Sequence, residues 1–307
     1  MKFGKLQNIE NVDFTLPADP LANAALLASF PEDEQPMAVY VGCTGWSMKE
    51  WVGRWYPKGT KAKDFLPVYA KQFNTIELNT THYRIPDPDL VAKWCSQVPD
   101  DFRFCPKLPQ TISHSKSLGL GGDQLPFFWE ALGNFGKKLG SCFMQLPPYY
   151  GIDRLPQLAQ FLSIWPKDFP LAVEFRHESW FAGAANIEEW TEVLTRYGTT
   201  AALTDVAGRR DVLHQHLTNQ QTMIRFVGNG LHPTDYGRIH AWVRQLAVWK
   251  ELGLKTVYFF PHEPDNILAP DLAHYLVQYL HETTSITTRG PDPISTGPQQ
   301  GDQILLF

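Results

Sequence analysis

From about residue 38 the chain alternates between two kinds of hydrophobic pattern. Short apolar or β-branched runs read as strands at 38–44, 75–80, 103–108, 142–146, 171–176, 200–206, 222–227 and 256–260. Longer stretches with a helical period fill the intervals at 65–73, 89–97, 126–138, 155–165, 187–197, 236–252 and 270–281, and one short helix fits 21–30. Gly140 and Gly253 stand where helices commonly end in a left-handed residue. Eight strands alternating with helices is the count of a TIM (β/α)8 barrel, whose typical length of ~250 residues fits. The interval 206–222 breaks the rhythm with Gly208, Arg209 and Arg210. A doubly wound open sheet is the competitor, but GCTGWS is not the glycine-rich first turn it would use. The expected class is therefore α/β, with an extension at 1–36, one barrel domain at 37–281 and a flexible tail at 282–307.

The alternation also says which side chains share a face. In LAVEFRHESWF (171–181), Leu171, Val173 and Phe175 alternate with Ala172, Glu174 and Arg176. A carboxylate and a guanidinium on one face of an apolar strand are costly to bury unless they pair or serve a site. The same parity turns Glu77 and Asn79, Lys107, Gln145 and Arg225 toward the barrel axis, with Asp205 closing the sixth strand. Barrel sites lie at the C-terminal strand ends. Three acids (Glu77, Glu174, Asp205) and three bases (Lys107, Arg176, Arg225) are thus expected at one rim. Two carboxylates in different environments can divide acid and base roles, and the bases can clamp an anion. Catalysis is expected of Glu77, Lys107, Glu174, Arg176 and Asp205. Substrate contacts are expected of Trp46, Asn79, Tyr83, His114, Gln145, His177, Trp180, Arg225, Tyr236 and His262, the aromatic faces suiting sugars or bases. The competing structural reading is a self-neutralised salt-bridge network, with the tryptophans merely packing loops.

Composition narrows the classes. The 307 residues carry a net charge of −5 and are 43% hydrophobic, enough for a large core and unlike a protein that holds nucleic acid by bulk charge. Four cysteines, Cys43, Cys95, Cys105 and Cys142, show no metal-finger spacing and read as reduced thiols in a cytoplasmic protein. No run is of membrane length and the N-terminus lacks a signal-like apolar region.

A set of motifs in fixed order carries a resemblance. GCTGWS (42–47), WYP (55–57), IELNTTHYR (76–84), FCPK (104–107), ISH (112–114), QLPP (145–148) and EFRHESW (174–180) resemble the family called domain of unknown function 72, or YecE-like. The resemblance implies a TIM barrel and no particular activity. It also implies an Arg-x-His-Gly on strand seven and a Phe-Asn-Asn on strand eight. This chain has Arg225-Phe226-Val227-Gly228 and Phe260-Pro261-His262 there, and His262 can stand in for the missing ring. The chain end, Gln303-Ile304-Leu305-Leu306-Phe307, resembles the bacterial sliding-clamp-binding peptide, with Gln303, Leu306 and Phe307 as anchors.

The leading expectation is a metal-independent hydrolase, lyase or isomerase for a small anionic or polyhydroxyl substrate. A nucleic-acid-processing protein recruited to the sliding clamp and a non-catalytic ligand-binding barrel are the alternatives. No cofactor is expected. A divalent metal on Glu77, Glu174, Asp205 and His177 or His262 is the other possibility the residue types allow, though the bases crowd the same space.

Overall fold

The computed structural model describes residues 4, 6–31 and 34–294. The described residues form eight strands: β1 Ala38–Val41, β2 Thr75–Leu78, β3 Arg103–Pro106, β4 Cys142–Gln145, β5 Leu171–Glu174, β6 Thr200–Asp205, β7 Gln221–Val227 and β8 Thr256–His262. Helices α1 Leu21–Ala28, α2 Phe65–Gln72, α3 Pro88–Ser96, α4 Gln110–Ser113, α5 Gln124–Gly133, α6 Leu155–Ile164, α7 Ala184–Arg196, α8 Pro233–Glu251 and α9 Ala269–Thr283 accompany them. All the ladders are parallel, in a six-stranded sheet β1-β8-β7-β6-β5-β4 and a two-stranded sheet β2-β3. Parallel strands need covered faces, so their sequences run apolar on both sides.

Isolated backbone hydrogen bonds link the two sheets. The Glu77 N–H donates to Cys43 O at 3.0 Å, and the Leu108 N–H donates to Phe143 O at 2.9 Å. Lys107 and Phe143 form an isolated parallel bridge. Gly42 makes the first approach possible, because a Cβ there would lie 2.1 Å from Thr75 O.

The strand alternation sends apolar side chains to two faces. On the helix side, Ile76, Leu78, Leu203, Ile224, Phe226, Val257 and Phe259 join helix residues such as Trp242, Val243 and Leu276. On the opposite face Cys105, Phe143, Ala172, Ala202, Met223, Tyr258 and Phe260 form a separate cluster with Tyr40 against it. Glu77, Lys107, Glu174 and Arg225 share the parity of this second face.

Between β6 and β7 only a 3-10 turn, Arg210–Val212, forms. The N-terminal segment docks there. Buried Asn23 of α1 donates to Gln215 O at 2.7 Å and accepts from the Leu217 N–H at 2.9 Å. After α9 the chain turns back over the body: Thr288 donates to Val39 O, Arg289 pairs with Asp101 at 2.8 Å, and the Ile294 N–H donates to Arg54 O at 2.7 Å. All four cysteines are free thiols. Among the described residues, no helix is long and apolar enough to cross a membrane.

Candidate functional site

Arg225, at mid-β7 and 1% exposed, is the centre of the polar cluster. Its Nε and Nη2 donate to the two oxygens of Glu77, each at 2.8 Å, and Nη1 donates to Glu174 Oε2. Glu77 also accepts from Asn79 Nδ2 at 2.8 Å and lies 3.1 Å from His262 Nε2. Glu174 accepts from Arg176 Nε at 2.5 Å. Both carboxylates are fully buried. Burial opposes their ionisation, but the guanidiniums win. Arg225 and His262 hold Glu77 well below the usual carboxylate range, and Arg176 and Arg225 bring Glu174 down to about 2. A general base works best with a pKa near the working pH. Glu77 and Glu174, expected to divide acid and base roles, are thus both paired with guanidiniums here. Arg225 is likewise spent on carboxylates and is not a free clamp for substrate.

Lys107 differs. It is 7% exposed, its Nζ donates to Gln145 Oε1 at 3.0 Å, and it lies 5.6 Å from the Phe143 ring centroid. Among the described residues it makes no ion pair. Burial, then the charge of Arg225, pushes its pKa down to about 8. Three cations (Lys107, Arg176, Arg225) face two carboxylates (Glu77, Glu174), which leaves one excess positive charge in the cluster.

His82 and His114 extend the site sideways, with ring centroids 5.4 Å apart. Burial lowers both pKa values, with Lys107 adding to the effect, and His82 falls to about 4. His82 Nδ1 lies 2.8 Å from Leu108 O, so that nitrogen carries the proton. The two imidazoles are also walls of an open cleft of about 480 Å³, completed by Tyr83, Arg84, Ile85, Pro109, Gln110, Thr111, Ser115 and Gln124. That volume falls in the range of small-molecule sites. Thr204 was also missed in the sequence. It has Arg225 as its ladder neighbour and shares the face of Ala202; its hydroxyl is buried and, among the described residues, has no hydrogen-bond partner.

Several expected site residues belong elsewhere. Asp205 has the parity of Leu203, so it points to the helices. It accepts from Arg238 Nη2 at 2.7 Å and Trp242 Nε1 at 2.8 Å, and pairs with Arg210. Trp180 is core: it donates to Tyr150 O at 2.7 Å and stacks on Phe175. His177 Nδ1 accepts from the Ser179 N–H at 3.1 Å and caps a turn. Trp46 packs edge-on against Trp94, and Tyr236 against Tyr275. Tyr83 is 81% exposed at the cleft. Among the described residues, no three His, Cys, Asp or Glu side chains converge as metal ligands would, so the donor set read for a divalent metal is not assembled. Gln303, Leu306 and Phe307 lie outside the described residues.

His262 pairs with Val227 in the β7–β8 register. It is thus adjacent to the position where the family resemblance implies a histidine, and it reaches Glu77 from there.

A family model described as "Protein of unknown function DUF72" matches residues 40–295. The UPF0759 protein YecE of Escherichia coli is 32% identical over 263 residues, which are 80% of this chain and 93% of that protein. The UPF0759 protein YunF of Bacillus subtilis is 27% identical over 154 residues, 47% of this chain and 52% of the relative. The crystal structure of a DUF72 family protein from Enterococcus faecalis at 3.10 Å superposes with a TM-score of 0.66 at 19% identity, over 84% of this chain and all (100%) of that one. A second crystal structure of that protein, at 2.52 Å, gives 0.65 over 81% and 99%.

Proposed function

The chain belongs to the DUF72 family of proteins of unknown function, and we propose that it is an enzyme acting on a small anionic or polyhydroxyl molecule at the C-terminal ends of a closed (β/α)8 barrel. The links from Cys43 to Glu77 and from Phe143 to Leu108 support closure, since they bridge the gaps between the two ladders. The observation that carries the functional reading is Lys107, a buried ammonium with a neutral partner beside two carboxylates already taken by guanidiniums. Burying an unpaired charge is unfavourable, and such groups concentrate at working sites. In this reading Lys107 carries a proton, with a pKa close to neutral. Lys107 and Arg176 attract the anionic group. Glu77, Glu174 and Arg225 hold the arrangement still, and the cleft beside His82 and His114 receives the rest of the substrate.

Inorganic phosphate is the simplest probe. Titration calorimetry should show saturable binding to the full chain, weakened at least about tenfold in Lys107→Met, a loss of about 1.4 kcal/mol. Equal binding by both proteins contradicts the reading.

The terminal motif supports a second reading, recruitment to a bacterial sliding clamp. Gln303 to Phe307 supplies a glutamine and apolar anchors beyond Ile294, where the described chain is still tied to the body. Removing residues 303–307 should abolish co-precipitation with purified clamp. Failure of the intact chain to bind the clamp ends this reading.

A further inference from the structure

We propose that Lys107 is a nucleophile that forms an imine with a small carbonyl compound bearing an anionic group; the inference rests on the proposed active site and narrows its substrate to aldehydes and ketones. Three arrangements support it. First, the amine lies over the Phe143 ring with Gln145 Oε1 as its hydrogen-bond acceptor, while Glu77 and Glu174 are engaged by Arg225 and Arg176. Among the described residues no salt bridge holds it as an ammonium. A lysine desolvated beside another cation is the usual form of an amine nucleophile, and burial and Arg225 bring this one down to about 8.

Second, Thr204 is 4% exposed, its hydroxyl has no hydrogen-bond partner among the described residues, and it lies on the face that carries Arg225. A buried hydroxyl left unpaired is unfavourable, and a substrate oxygen would satisfy it. Third, His82 turns Nδ1 toward Leu108 O at 2.8 Å, which leaves the Nε2 lone pair to accept a hydrogen bond from a substrate hydroxyl or hydrate.

The chemistry balances without an oxidant or reductant. The neutral amine attacks the carbonyl carbon; the C–N bond forms as the C=O π pair moves to oxygen. Nitrogen gives up one proton to solvent, and the oxygen gains one from solvent to give the carbinolamine. Loss of the second N–H proton and of the hydroxyl group as water leaves the C=N bond.

Glyoxylate is a suitable probe, being a small aldehyde that carries a carboxylate. The full chain is incubated with it, reduced with cyanoborohydride, and mapped by peptide mass spectrometry. The expected result is a carboxymethyl group on Lys107 that forms well ahead of other lysines, is suppressed by inorganic phosphate, and is absent from folded Lys107→Met. Modification spread over exposed lysines with Lys107 untouched overturns the imine. If phosphate still binds in that case, the anion site stands and only the imine is lost. If phosphate binding also fails, the proposed active site falls with it.

Discussion

Replacing Arg225 with methionine is expected to lower the melting temperature by on the order of 10 °C. The side chain is 1% exposed and makes three bonds to two fully buried carboxylates. Removing one partner of a buried ion pair costs about 3–5 kcal/mol, because the other charge is left uncompensated. Each kcal/mol shifts the melting point by roughly 2–4 °C in a protein somewhat smaller than this one. Neutralising the orphaned partners as well, in Glu77→Gln/Glu174→Gln/Arg225→Met, should restore most of the loss. Scanning calorimetry reads both. A shift under about 2 °C for the single variant would mean that the guanidinium does not hold the cluster.

Lys107→Met is expected to act in the opposite direction, stabilising the fold while removing function. Burial and the charge of Arg225 bring Lys107 down from the ordinary 10.5 to about 8, so folding favours its neutral form. Above both values the group is uncharged folded or unfolded and contributes no penalty. As pH falls from about 10.5 to about 8 the unfolded chain takes up the proton first, and stability is lost. Below about 8 the penalty is complete, on the order of 3 kcal/mol at 1.36 kcal/mol per unit. The variant's advantage in denaturant unfolding should therefore be largest at pH 7 and fade toward pH 10.5. A variant less stable than the parent at pH 7 would show that the amine is a structural partner. Gain of stability with loss of ligand binding is the signature of a strained working group.

Much of this site is legible in the chain because strand alternation is strict. Ile76 and Leu78 fix the direction of Glu77, and Ile224 and Phe226 that of Arg225. Asp205 was read by its place at the strand end instead of by its parity with Leu203, and the same rule would have sent it to Arg238 and Trp242. Pairing is less legible than direction. Whether acids and bases face a substrate or one another depends on distances across the molecule, and Arg225 spans two strands at once. His82 was overlooked because it follows β2 on a 3-10 turn, Asn79–His82, where alternation no longer applies. Trp180 sits at a strand end, where a ring at the mouth was expected; it turns inward because Tyr150 O accepts its indole N–H.

The proposed site depends on Lys107 being a buried amine that desolvation and Arg225 bring down to about 8. The direct measurement is an NMR titration of the Lys107 side-chain carbon next to Nζ, assigned by its absence in Lys107→Met. A midpoint near 8 is the predicted result. A midpoint at about 10.4, the value of a free lysine, would mean that the amine is solvated or paired and is not the working group of this site.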